Sequence, residues 1–199
     1  SSLVWMLNDL IRRDETGLSK FLDLDAPLQY EELKEVESAD KPFILFGAAF
    51  GLLDLIERER IKLPDHSIVI ETGGMKTRKR EMGKEKLQAI LAEGFGLPAG
   101  SIHSEYGMCE LLSQAYSKGD LWFESVPWMK VTIRDPKNPD RVCEAGEEGK
   151  IGVLDLANLY SCSFLLTEDR GVADSNDRFQ VLGRWNPENL RGCNFLIDE

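Results

Sequence analysis

The chain has 199 residues, of which 42% are hydrophobic, so it is long enough to bury a core without disulfide bonds or a structural metal. Its formal net charge of −11 at pH 7 argues against nucleic acid as the main partner, because an acidic surface repels a phosphate backbone. No stretch approaches the ~20 consecutive apolar residues that span a bilayer, and the first residues lack the basic start of a signal peptide.

The cysteines are scattered along the chain without a CxxC pair, and only two histidines are present, so the sequence does not predict a zinc site. The cysteines are Cys109, Cys143, Cys162 and Cys193. Thiols spread in this way are typical of a reducing compartment, since a chain of this length does not depend on cross-links. We therefore expect a cytoplasmic protein without a membrane span.

The first half of the sequence alternates between helix and strand patterns. Apolar residues at helical spacing predict helices, and short apolar runs bounded by glycine or proline predict buried strands. The predicted helices are residues 1–13, 28–36, 52–56 and 84–93, and the predicted strands are residues 43–46, 67–70 and 101–105. Gly94 and Gly96 are expected to close the last of these helices. The alternation predicts an α/β sheet.

Helical periodicity fades in the second half, where short strand patterns are joined by turns rich in proline, glycine and aspartate. The predicted strands are residues 121–123, 128–134, 150–156, 179–182 and 194–197. The polar loop 135–149 is typical of a hairpin connection. We expect an α/β subdomain over residues 1–118 and a smaller, mostly antiparallel β-rich subdomain over residues 119–199.

Residues 106–110, Tyr-Gly-Met-Cys-Glu, follow a predicted strand and open an apolar stretch with helical spacing. The carboxyl ends of strands are where an α/β sheet presents ligand-binding residues. The ring of Tyr106 suits stacking on a base, Gly107 suits close approach of the backbone to a phosphate, and Glu110 suits a divalent cation. The alternative is a helix start with a tyrosine packed against the core.

Four segments, taken in order, resemble motifs of the adenylate-forming superfamily. Residues 71–75, Glu-Thr-Gly-Gly-Met, resemble its double-glycine segment, and residues 106–110 resemble its YGxTE motif. Residues 167–169, Thr-Glu-Asp, resemble its TGD motif, and residues 183–184 with 191–192 resemble its GR…RG segment. The resemblance implies the core of the N-terminal domain of these enzymes, with an α/β layer followed by an antiparallel β-rich part.

The resemblance also implies that these segments bind ATP together with Mg²⁺. The implied nucleotide-binding residues are Gly73, Gly74, Tyr106, Gly107, Cys109, Asp169 and Arg184. Asp169 has acceptor oxygens for the ribose hydroxyls, and the permanently charged Arg184 suits the ribose or a phosphate oxygen. Glu110 is the implied Mg²⁺ ligand. Taken singly, Asp169 also fits a common turn, and Arg184 also fits a surface salt bridge.

Departures from the superfamily pattern narrow the resemblance to the acyl-protein synthetases of the LuxE type. Cys109 stands where the superfamily has threonine, and Glu168 stands where it has glycine. A thiol is a weaker hydrogen-bonding group for a phosphate than a hydroxyl is. Nothing before Pro42 resembles the phosphate-gripping loop of the superfamily, so we expect the N-terminal part of the enzyme to be missing here and residues 1–199 alone to show little or no adenylation.

The family resemblance implies ATP-dependent activation of a carboxylic acid, expected to be a fatty acid, to acyl-AMP and transfer of the acyl group to a thiol. Glu110 and Cys193 are the implied catalytic residues. Cys193 would be the acyl acceptor, with Arg191 favouring its thiolate. The candidates for the acyl pocket, chosen for their small side chains, are Gly47, Ala48, Ala49 and Gly51. A partner acyl reductase is also implied.

Two alternatives remain at this point. An acyl-CoA ligase of the phenylacetate type would use coenzyme A as the acceptor, and Cys193 would then be a small buried residue in a terminal strand. A non-catalytic binding module would keep the fold and serve as a scaffold for a partner reductase. The variant Cys193→Ser separates the first alternative from an acyl-protein synthetase, since a CoA ligase would keep its turnover.

Overall fold

The computed structural model describes residues 2–23, 34–35, 38, 43–73 and 82–185. The helices with defined bounds are α1 (Ser2–Arg13), α2 (Ala49–Glu59) and α3 (Lys84–Phe95). Two further segments, Ala99–Ser101 and Leu156–Asn158, are single turns of 3-10 helix. Some sequence predictions lie wholly or mainly outside the described residues, namely the helix 28–36, the strand 194–197, Gly74, Arg191, Gly192 and Cys193.

The first sheet contains five strands in the order β1-β2-β3-β4-β5. They are β1 (Ile44–Ala48), β2 (Ile68–Thr72), β3 (Ile102–Tyr106), β4 (Ala115–Lys118) and β5 (Glu124–Ser125). β1, β2 and β3 are parallel, and β4 and β5 extend the sheet in the antiparallel sense. Val69 and Ile102 are 0% exposed and share a hydrophobic cluster with leucines of α2 and α3, as a helix-covered parallel sheet requires.

The predicted alternation of strands and helices is confirmed in this first part. α3 continues through Gly94, which was predicted to help close it, and ends at the second predicted glycine, Gly96. Gly96 takes the left-handed conformation with φ 72°, and its N–H donates to the carbonyl oxygens of Ala92 and Glu93. None of the helices in the described part of the chain is long and apolar enough to cross a membrane.

The second sheet contains four antiparallel strands in the order β6-β7-β8-β9. They are β6 (Met129–Arg134), β7 (Gly149–Asp155), β8 (Phe164–Ala173) and β9 (Phe179–Arg184). Alternate residues of β6 are buried, as expected for a strand with one face on a core. The predicted hairpin is also confirmed, since β6 and β7 pair Arg134 with Lys150 across the loop. The fold is therefore an α/β sheet followed by an antiparallel sheet.

The two sheets are joined by main-chain hydrogen bonds. The chain passes from the first sheet to the second between Ser125 and Met129. β5 therefore belongs to the first sheet although it follows residue 119, the predicted start of the second subdomain; that boundary stays a prediction. Phe123, directly before β5, donates its N–H to the carbonyl oxygen of Phe179 at 2.7 Å, and the Phe179 N–H donates back at 3.1 Å. This bridge ties the end of the first sheet to β9.

Candidate active site

Three of the residues predicted to bind a nucleotide meet where the two sheets adjoin. The Tyr106 hydroxyl, at the carboxyl end of β3, donates to Asp169 Oδ2 at 2.9 Å. Arg184 Nε donates to Asp169 Oδ1 at 3.1 Å. Asp169 and Arg184 are register partners on β8 and β9, which explains their contact. The fold thus joins motifs that are far apart in sequence into one polar group.

Asp169 keeps capacity for a ligand in this arrangement. Its side chain is 16% exposed, and each oxygen accepts one of the two side-chain hydrogen bonds described above. An ionised carboxylate offers about four lone-pair sites, so further donors can be accepted. The hydroxyls of a ribose fit this requirement.

Tyr106 is largely enclosed by protein. Its ring is 8% exposed, and it makes edge contacts with Phe123 at a centroid distance of 6.0 Å and with Phe179 at 5.5 Å. Burial, followed by the nearby negative charge of Asp169, raises the pKa of Tyr106 well above its usual value, so its hydroxyl stays a donor. A ring packed in this way offers little surface for stacking on a base, and it matches the alternative of a tyrosine packed against the core.

The two predicted glycine turns differ in their surroundings. A Cβ at Gly107 would collide with a carboxylate oxygen of Glu105, so the close approach that requires glycine here is to a protein side chain. Gly73 follows β2, is exposed and has φ 82°, a conformation that other residues rarely adopt. Their phosphate and adenine contacts stay predictions.

The helix predicted to follow residue 110 is wrong. Residues 107–114 form an irregular loop before β4, and Cys109 and Glu110 are exposed on it. The N–H groups of Leu112 and Ser113 donate to Asp155 Oδ2 at 2.9 and 3.0 Å, so they are unavailable for helical hydrogen bonds. Sequence analysis missed Asp155 because its partners lie 43 and 42 residues earlier in the chain.

A buried ion pair joins β2 to the first residue of α3 and was also missed. Glu71 is 0% exposed, and its Oε1 accepts a hydrogen bond from Lys84 Nζ at 2.6 Å. On the neighbouring strand, Glu105 is 5% exposed and accepts a hydrogen bond from Thr72. Burial raises the pKa of Glu105, and the negative charge of Glu71 raises it further, whereas the Thr72 hydrogen bond and Lys84 act in the opposite direction.

The small residues predicted to shape an acyl pocket are packed closely around the β1–α2 turn. A Cβ at Gly47 would lie 3.0 Å from Leu52 Cδ2. Ala49 is 2% exposed, Gly51 is buried, and Ala48 is half-buried at the end of β1. In the described structure these residues let the helix approach its strand, and their contribution to acyl binding stays a prediction.

The described residues provide one of the ligands that a Mg²⁺ ion bound together with a nucleotide would need. Among the described ranges, no group of three or more His, Cys, Asp or Glu side chains is placed to hold a metal ion. Mg²⁺ in nucleotide sites is commonly held by one or two carboxylates together with the substrate phosphates, and this needs no such cluster. The exposed Glu110 provides one suitable carboxylate.

The fold is that of adenylate-forming enzymes. Similar solved structures include ATP-bound MatB from Rhodopseudomonas palustris, at 17% identity and TM-score 0.56, covering 82% of this chain and 33% of that chain. Another is O-succinylbenzoate coenzyme A synthetase (MenE) from Bacillus subtilis in complex with ATP and magnesium ion, at 18% identity and TM-score 0.55, covering 82% and 34%. The chain thus spans about a third of the length of these structures.

No curated protein matches the sequence. The sequence profile of the family described as "Acyl-protein synthetase, LuxE" matches residues 18–199. That range includes every motif residue discussed above. The chain therefore belongs to the acyl-protein synthetase (LuxE) family.

Proposed function

We propose that the protein containing this chain activates a carboxylic acid with ATP and passes the acyl group to a thiol. The observation that carries the proposal is the meeting of Tyr106, Asp169 and Arg184 where the two sheets adjoin. Membership of the acyl-protein synthetase family supports the same reaction class. A fatty acid is the substrate we expect, by resemblance to the family.

In the first step, an oxygen of the substrate carboxylate attacks the α-phosphorus of ATP, the bond to pyrophosphate breaks, and acyl-AMP forms. Asp169 would accept hydrogen bonds from the ribose hydroxyls, held in place by Tyr106 and Arg184. Glu110 is the residue that would hold Mg²⁺, which when bound supplies neutralising charge at the phosphates. Orientation of the nucleotide by side chains already fixed in place lowers the entropic barrier of this step.

In the second step, a thiolate attacks the acyl carbonyl carbon, the thioester bond forms, and AMP leaves. Cys193 is the proposed acceptor, by resemblance to the family. Coenzyme A is the alternative acceptor, and it is kept because one structural neighbour is a coenzyme A synthetase. The scattered cysteines of the sequence remain the basis for expecting a cytoplasmic location.

The test is hydroxylamine-trapped, ATP-dependent acylation of the full-length protein with a panel of labelled carboxylic acids. Wild type is compared with Cys193→Ser and with Asp169→Ala. The matched control is Asp174→Ala, because Asp174 caps a surface turn and makes no contact with the Tyr106 group. We expect hydroxamate from wild type, Cys193→Ser and the control, and roughly 100-fold less from Asp169→Ala.

The acceptor is read from the location of the label. Covalent label on wild type but not on Cys193→Ser supports an acyl-protein synthetase that uses this cysteine. Turnover that requires coenzyme A and survives Cys193→Ser supports the ligase instead. Failure to form hydroxamate with any acid would contradict the proposed function and favour a binding module that assembles with a partner reductase.

A further inference from the structure

Asp155, at the end of β7, is a fully buried carboxylate whose hydrogen-bonding capacity is completely used. It is 0% exposed, and its Oδ2 accepts the N–H groups of Leu112 and Ser113. Its Oδ1 accepts the Ser113 hydroxyl at 2.7 Å and the Ala157 N–H at 3.1 Å. Four donors fill the four lone-pair sites of a carboxylate, so Asp155 has none left for a metal or a substrate.

Asn158 holds the same loop from a second direction. It is 4% exposed, and its Nδ2 donates to the carbonyl oxygen of Glu110 at 2.7 Å and to that of Cys162 at 2.9 Å. Its Oδ1 accepts the Ser161 hydroxyl at 2.7 Å, which fixes the orientation of the amide. Both protons of the amide nitrogen and the amide oxygen are therefore engaged in holding the segment.

These contacts leave the backbone around Glu110 little freedom. Its carbonyl group is held by Asn158, and the N–H groups two and three residues later are held by Asp155. Between them, Leu111 is 1% exposed in the core, and its N–H donates to the Met108 carbonyl oxygen at 3.1 Å. The Glu110 side chain extends from this fixed segment into solvent, as does that of Leu112, which is 52% exposed.

We propose that Asp155 and Asn158 are positioning residues for metal binding by Glu110. Residues at the end of β7 in the second sheet would thus orient a metal ligand that lies on a loop of the first sheet. The inference rests on the proposed function, because it concerns the Mg²⁺ that accompanies ATP. A carboxylate held in place loses less entropy when it binds a cation, and outer partners of metal ligands commonly change metal affinity by 10- to 100-fold when mutated. The polar atoms of both side chains are already engaged with protein groups, so we expect neither to bind the nucleotide or the metal itself.

The experiment measures Mn²⁺ binding by electron paramagnetic resonance, using the full-length protein saturated with ATP. Glu110→Gln, Asp155→Asn and Asn158→Ala are compared with wild type. We expect Asp155→Asn and Asn158→Ala each to raise the Kd for Mn²⁺ roughly 10-fold, while the Kd for ATP without metal is unchanged. Asp174→Asn is the matched control, since this aspartate also accepts two backbone N–H groups but lies in a turn before β9, and we expect wild-type affinity.

Hydrogen exchange of the Leu112 and Ser113 amides supplies a readout that does not depend on metal. We expect both amides to exchange faster in Asp155→Asn than in wild type. Asn158→Ala covers the case in which Asp155→Asn does not fold. If wild type binds Mn²⁺ with ATP and both Asp155→Asn and Asn158→Ala bind it with the same Kd, the positioning role alone is overturned. No binding of Mn²⁺ with ATP by wild type would overturn the proposed function and the inference together.

Discussion

Two regions of the molecule bury a carboxylate completely, and they stabilise it in different ways. Glu71, near the carboxyl end of β2, forms an ion pair with Lys84 through one oxygen, and its second oxygen has no hydrogen-bond partner among the described residues. Asp155, at the end of β7, is held by four neutral donors, and no lysine or arginine of the described ranges pairs with it. Both are 0% exposed.

The difference shows what each region depends on. An ion pair depends on one partner, because removing that partner leaves a buried charge without compensation. A carboxylate held by backbone donors fixes the position of those donors, and its loss leaves amides unpaired instead of a charge. The first region therefore serves stability, whereas the second also determines the shape of the loop that carries Glu110.

The largest effect is expected from Lys84→Met, which removes the only charge partner described for Glu71. The expected loss in the free energy of unfolding is about 3 kcal/mol, near the lower limit for buried pairs because the Lys84 side chain is 26% exposed. Chemical denaturation measures it. The double variant Glu71→Gln with Lys84→Met should recover most of the loss, and no recovery would show that the charge of Glu71 is not the cause.

A smaller loss is expected from Asp155→Asn. The amide group turns one acceptor into a donor that faces other donors, at a cost of about 2 kcal/mol in the free energy of unfolding. Asp174→Asn, in a more exposed turn where the carboxylate also pairs with Arg178, should cost less than Asp155→Asn. Equal losses in the two variants would mean that full burial gives Asp155 no special importance.

Asp169 lies between the two extremes, since it accepts one hydrogen bond from a cation and one from a neutral hydroxyl. Tyr106→Phe removes the hydroxyl alone and should lower the free energy of unfolding by about 1.5 kcal/mol. Phe is a close fit to the ring contacts with Phe123 and Phe179, so packing should be kept. The same substitution is then made in an Asp169→Asn background. If Tyr106→Phe causes no further loss there, the effect comes from this one hydrogen bond; if the losses of the two variants add, it does not.

The smallest effect concerns the pH dependence that Glu105 brings to the ion-pair region. Because the folded state raises the pKa of Glu105 above its ordinary value of 4.5, the folded protein holds this proton more tightly than the unfolded chain does. The resulting stability is fully present below pH 4.5 and is lost as the pH rises through the folded pKa. The denaturation midpoint measured as a function of pH should decline less in Glu105→Gln than in wild type, and the substitution of the exposed Glu124 by Gln should not change the decline. A wild-type decline in Glu105→Gln would show that Glu105 is not its cause.

The sequence predicted those parts of the fold that depend on local patterns. The strand-helix alternation of the first sheet, the end of α3 at Gly96 and the hairpin between β6 and β7 all follow from spacing and turn residues. The resemblance to the adenylate-forming superfamily implied that Asp169 and Arg184 serve one nucleotide site. The structure brings them into contact, and their binding of a nucleotide stays a prediction.

What the sequence did not reveal depends on contacts between distant segments. The stretch after Glu110 has apolar residues at helical spacing, yet Asp155 takes the N–H groups that a helix would need. The enclosure of Tyr106 by Phe123 and Phe179 and the pairing of Glu71 with Lys84 likewise appear only when the strands are assembled. No local pattern distinguishes these side chains from solvent-exposed ones.

The bridge between Phe123 and Phe179 has a consequence for how the molecule unfolds. Its two hydrogen bonds run between the chain leading into β5 and the first residue of β9, and both residues are 1% exposed. Separating the sheets would leave these main-chain groups unpaired inside an aromatic cluster, so neither sheet can open alone without a large cost. We therefore expect the two sheets to lose their structure in one cooperative transition, and the amides of this bridge to be among the slowest to exchange with solvent.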